Sequence, residues 1–79
     1  MKGGDHMKIT KALFFRRGFG ISQDFVSRKL CISRRTLTKK EKGELDFTKT
    51  EMEIYTDILK EYKTDLTIQE IFFENNFTF

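Results

Sequence analysis

Apolar residues recur along this chain at helical spacing, three and four apart, and strand-like alternation is absent. The first predicted helix covers residues 9–17, with Ile9, Ala12, Leu13 and Arg16 on one face. Gly18 and Gly20 break it, leaving Phe19 and Ile21 turned inward. Ser22 is a good N-cap for a second helix ending near Leu30, whose inner stripe is Val26, Ser27 and Leu30. Cys31, Ile32 and Ser33 make a tight turn. Ser33 caps a third helix reaching about Lys42, and Gly43 supplies a left-handed stop. Thr48 and Glu51 form a capping box opening a fourth helix to about Tyr62, with Met52, Tyr55, Ile58 and Leu59 facing in. Thr67 and Glu70 form a second box before a short fifth helix carrying Ile71, Phe72 and Phe73. The last residues, 74–79, have no period and are expected to fray. The pattern predicts an all-α, five-helix domain over residues 7–73.

Composition adds bounds. The 79 residues suffice for one domain. No apolar run is long enough for a transmembrane helix, and no secretory signal pattern is visible, so a cytoplasmic protein is expected. One cysteine excludes an internal disulfide, and one His with one Cys argues against zinc. Residues 1–6, MKGGDH, precede a second methionine and are expected to be a vector-derived remnant. The net charge of +3 hides an asymmetry: residues 1–42 carry +9 and residues 43–79 carry −6. The front half therefore suits a phosphate-facing surface. No nucleophile–base arrangement, phosphate loop or paired carboxylates stands out, so no enzyme, cofactor or metal is expected.

The run 23–43, QDFVSRKLCISRRTLTKKEKG, carries most of the functional information. It reads as two short helices joined by a tight turn, the layout of a DNA-reading helix-turn-helix. Ser27 is small enough for two helices to cross closely. Val26, Leu30, Ile32 and Leu37 are apolar posts fixing the angle. Arg34, Arg35, Thr36, Thr38 and Lys39 then stand on the outward face of the third helix. Arg pairs bidentately with guanine, Lys donates to guanine, and Thr touches a thymine methyl or a phosphate. Gln23, Lys42 and the helix amide ends are placed for phosphates.

These residues resemble the Cro/repressor (XRE) family of phage and bacterial regulators. Arg16 stands seven before Gln23, Val26 and Ser27 take the family's Leu-Ala places, and Ile32-Ser33 match. Thr36, Leu37 and Thr38 follow, then Glu41 and Gly43. The resemblance implies a lambda-repressor-like fold with the helix-turn-helix at helices 2–3. It also implies a semi-buried Arg16–Glu41 pair holding the first helix against the third. Two departures stand out: Cys31 replaces the turn glycine, and Lys40 occupies a position that is often apolar.

Two functions are compatible with this reading. One is a small regulator of a temperate phage's lysis–lysogeny switch, binding operator DNA as a dimer through the third helix. The other is an antirepressor that binds the partner phage repressor, using the helix-turn-helix face and exposed rings to promote the lytic state. Within the phage family the chain looks closest to the modulator-of-repression type of lactococcal phages. Nine phenylalanines are more than five short helices can bury. Phe19, Phe47 and Phe72 fit core positions. Phe14, Phe15 and Phe25 fall where the family carries polar residues; either Phe15 and Phe25 half-cover each other across the first two helices, or the rings form a protein-binding patch beside the basic face.

Overall fold

Each of the four long helices starts at a hydroxyl side chain that accepts an end amide. In the computed structural model, which describes residues 8–74 and 77–78, the caps are Thr10, Ser22, Ser33 and Thr48. Their oxygens accept from Leu13, Phe25, Thr36 and Glu51 at 3.2, 3.1, 3.0 and 3.1 Å. The helices that follow are α1 (Lys11–Gly18), α2 (Gln23–Leu30), α3 (Arg34–Glu41) and α4 (Lys49–Lys60). At Thr48 the Glu51 carboxylate also accepts the cap's own N–H at 2.9 Å, completing the capping box. Thr67 accepts from Glu70 at 3.1 Å and opens α5 (Gln69–Phe73), a single widened π-type turn.

Two positions differ from the sequence expectation at the ends. The first helix starts at Lys11, because Ile9 belongs to a short strand, β1 (Lys8–Ile9). Its partner is β2 (Phe77–Thr78), antiparallel, with Lys8 opposite Thr78 and Ile9 opposite Phe77. Part of the tail expected to fray thus pairs with the segment before α1. The expected vector-derived remnant, residues 1–6, lies outside the described residues.

The core is one cluster drawn from every helix. Ala12, Val26, Leu37, Tyr55 and Leu59 are fully buried, with Ile21, Leu30, Phe47, Ile58, Leu66 and Ile71 around them. Phe47, Tyr55 and Phe72 meet edge-to-face in a triad with centroids 5.1–5.8 Å apart, the arrangement ring quadrupoles favour. Leu66 was not singled out by periodicity, because it stands alone in the link between α4 and α5.

Lys40 is buried as well, so the basic face of α3 stops short of it. Its ammonium donates to Glu51, and its nitrogen lies 6.0 Å from the centroid of the Phe47 ring. A lysine is accommodated at this buried position because its aliphatic stem fills the space and Glu51 neutralises the tip. Burial by itself would raise the Glu51 carboxyl. The Lys40 hydrogen bond and the Thr48 amide favour its charged form and hold it below the usual range.

A group depressed on folding stabilises the protein above its unfolded value and loses that contribution as pH falls through the folded one. The urea midpoint is therefore expected to fall as pH drops from about 5 to about 3, and Glu51→Gln should flatten part of that fall. An unchanged pH profile in the variant would show that Glu51 has no such role.

Candidate nucleic-acid interface

A single carboxylate ties four helices together. Glu41, at the end of α3, is 1% exposed. Its Oε2 accepts from Arg16 Nε at 2.6 Å, and its Oε1 accepts from Arg16 Nη2 at 3.0 Å and Gln23 Nε2 at 3.1 Å. The Tyr55 hydroxyl, from α4, reaches Oε2 and also lies 3.1 Å from the Ala12 carbonyl. Having one proton, it satisfies the carboxylate first, since a charged acceptor is the stronger one. Arg16 Nη1 donates to the Ile21 carbonyl at 2.8 Å, pinning the loop before α2. Thr10 completes the junction: its hydroxyl donates to the Glu41 main-chain carbonyl at 2.7 Å while capping α1.

The charges in this junction are stable ones. Burial alone would lower Arg16, but the Glu41 hydrogen bond and charge outweigh it, and the net shift is upward. Burial raises Tyr55, and the Glu41 charge raises it further. Both groups keep their proton throughout the physiological range.

The crossing of α2 and α3 is built on this frame. Ser27 is buried at the crossing, its hydroxyl donating to the Asp24 carbonyl at 3.1 Å. Val26, Leu30 and Leu37 are buried and Ile32 is half-buried, as their role as posts requires. Cys31 adopts φ 60°, ψ 41°, a left-handed conformation that favours glycine. Placing a Cβ there costs about 1–2 kcal/mol.

On the open side, Arg34, Arg35, Lys39 and Lys42 are exposed, and none forms an ion pair among the described residues. Thr36 is half-buried; its hydroxyl accepts from Ser33 Oγ at 3.0 Å. Thr38 is half-buried, donating to the Arg34 carbonyl at 3.0 Å and accepting from Gln23 Nε2 at 3.0 Å. The side chain of Gln23 is directed differently from the expectation of a phosphate clamp. Its amide nitrogen serves Thr38 and Glu41, leaving only an acceptor oxygen, which cannot bond a phosphate. Gln23 instead links the start of α2 to the exposed face of α3. Tyr55 and Thr10 were missed as members of the junction. A signal for Tyr55 was present, because a phenol on a core-facing stripe needs a buried acceptor.

The three candidate interface rings do not form one patch against one another. Phe15 is half-buried and stacks on Phe19 at 6.0 Å, with Phe14 edge-on at 5.7 Å. Phe19 stacks in turn on Tyr62 at 5.3 Å. Phe25 does not cover Phe15; it opens onto a groove between α2 and α4. Phe14, Phe25 and Tyr62 are the exposed rings of this region, at 44%, 43% and 58%.

Among the described residues no group of three His, Cys, Asp or Glu side chains could hold a metal ion. No helix there is long and apolar enough to cross a membrane. No protein-family model, no curated protein and no solved structure matches the chain.

Removing one member of a buried pair leaves the other charge unneutralised. Glu41→Leu is expected to destabilise by about 3–5 kcal/mol, and the double variant Arg16→Met/Glu41→Leu should recover much of that. Denaturant titration checks both, and equal losses in the single and double variants would contradict the assignment. Cys31→Gly should relieve the left-handed strain and, after the glycine's greater unfolded-state entropy, gain up to about 1 kcal/mol. A lower melting temperature for this variant would mean that the thiol makes a stabilising contact.

Proposed function

We propose that the chain is a small transcription regulator that binds operator double-stranded DNA through α3. The observation supporting this most is the set of four exposed, unpaired cations, Arg34, Arg35, Lys39 and Lys42. They stand on a helix whose orientation is held by a buried carboxylate. Unpaired cations release counterions from DNA on binding, with no intramolecular partner to lose first. Arg34, Arg35 and Lys39 would read bases, with the Thr36 and Thr38 methyls beside them. Lys42 and the α2 N-terminal amides would hold phosphates, with Gln23 setting the spacing of α2 and α3. A homodimer would place two copies of α3 roughly one DNA turn, 34 Å, apart. The temperate-phage lysis–lysogeny setting, in the cytoplasm of a bacterial host, rests on the Cro/repressor resemblance alone.

A second reading is favoured by the exposed rings. An antirepressor would use Phe14 and Phe25, with the basic helix, to occupy a cognate phage repressor. Both readings are tested by measuring affinity for the regulatory DNA flanking the chain's own gene across salt, with and without that repressor. For DNA recognition, log K should fall by about 0.9 per phosphate neutralised for each tenfold rise in salt. Arg35→Ala should cost about 1–3 kcal/mol, and Lys42→Ala should reduce the salt slope by about one. A stoichiometric repressor complex, with no salt-dependent DNA binding by the chain alone, would overturn the first reading in favour of the second.

A further inference from the structure

The groove between α2 and α4 has two unlike components. Its apolar part is made by Phe25 of α2 together with Ile54 and Ile58 of α4 and Tyr62 just beyond it. Its rim on the α4 side is acidic, with Asp57 and Glu61 lining the groove. Glu53 continues that row one turn earlier, so three carboxylates follow at i, i+4 and i+8, about 6 Å apart. All three are exposed, and none is ion-paired among the described residues. The one cation lining the groove, Lys29, lies 5.5 Å from the Phe25 ring centroid on the opposite wall; Lys60 shares the adjoining surface with Glu53 and Asp57 but forms an ion pair with neither.

We propose that this groove docks a basic amphipathic helix from another protein. An apolar stripe would lie on Phe25, Ile54 and Tyr62, and Lys or Arg side chains repeating every four residues would meet Glu53, Asp57 and Glu61 in register. Helices recognised in grooves present this combination of anchors and flanking charge. A row of carboxylates beside an exposed apolar surface repels acidic partners and attracts basic ones, so the charge adds selectivity to the burial. A second copy fits less well. The chain's own basic helix, α3, buries its apolar Leu37 completely and offers only polar residues outward. The proposal does not depend on DNA recognition by α3, which uses a different face.

The probe is a fluorescein-labelled helical peptide carrying a Leu/Ile stripe flanked by Lys at i, i+4 and i+8, with a mirror peptide bearing Glu at those places. Anisotropy should show binding of the Lys peptide that weakens with salt and no binding of the Glu peptide. Asp57→Lys/Glu61→Lys should weaken binding by about tenfold or more. Phe25→Ser should also weaken it while far-UV circular dichroism stays unchanged. Ile54 and Ile58 methyl resonances should shift on titration with the peptide. Equal affinity for the two peptides, no binding of either, or binding insensitive to the charge reversal would overturn the proposal. Self-association in sedimentation that Phe25→Ser abolishes would assign the groove to a second copy and overturn it too. Operator affinity measured on the same charge-reversed protein keeps the two questions apart, because Asp57 and Glu61 lie outside the α3 face.

Discussion

The Glu41 carboxylate is the point on which the arrangement of α1, α2, α3 and α4 depends. It is almost wholly buried and carries a charge, a combination that is unfavourable unless every lone pair is used. Here it receives Arg16 through two nitrogens, Gln23 and Tyr55. The geometric demand runs in both directions. Each donor is fixed by the carboxylate, and each belongs to a different element, so the crossing angles of those elements are fixed together. The net energy of the pair is small after desolvation, and its greater contribution is to exclude alternative packings in which a charge would be left unpaired. The same junction reaches the surface through the two hydrogens of the Gln23 amide, one on Glu41 and one on Thr38. The exposed face of α3 is thereby referenced to the core and not merely attached to it.

A second buried pair repeats the principle beside it, one residue earlier in α3. Lys40 and Glu51 join α3 to α4, with the capping amide of Thr48 sharing the carboxylate. Two consecutive residues of α3, Lys40 and Glu41, therefore point into the protein with opposite charges and separate partners. Their neighbours Lys39 and Lys42 remain outside. The residue types alone do not distinguish these lysines. What separates them is helical phase and the presence of a carboxylate within reach, which is why the sequence placed Lys39 and Lys42 on the surface but left Lys40 as an anomaly.

Local signals were the most legible part of the chain. A hydroxyl before an amphipathic run specifies a helix start through a contact three residues away, and Thr48, Ser22 and Ser33 were readable for that reason. Cys31 stood out only because the resemblance puts a glycine in its turn; its left-handed backbone needed the structure. Contacts across the fold were less so. The strand formed by Lys8–Ile9 depends on residues about seventy positions away, and two-residue strands carry no period. The Phe15–Phe19 stack was hidden for a related reason. An aromatic pair at i, i+4 is a local contact, yet choosing it over a pairing with Phe25 requires knowing that α2 turns its Phe25 edge toward α4. The Arg16–Glu41 pair came from family resemblance; spacing alone does not bring residues 25 apart together.

The geometry of α2 decides how the two candidate surfaces relate. At about 100° per residue, Gln23 and Phe25 point roughly 200° apart around the helix axis. Gln23 therefore faces α3 while Phe25, with Lys29 a turn later, faces α4. Eight residues suffice to hold the basic surface of α3 on one side and an acidic, apolar groove on the other. Because α2 is packed between them on buried Val26, Ser27 and Leu30, a ligand on either side meets an already positioned helix. The charge asymmetry of the chain follows the same division: cations collect on and around α3, and the carboxylates of α4 lie across the helix from them. An occupant of the groove would not need to displace a ligand of α3 by contact. Two routes join the surfaces: α2, whose first residue is tied by the Gln23 amide to both Glu41 and Thr38, and the direct links from α3 to α4, Lys40–Glu51 and Glu41–Tyr55.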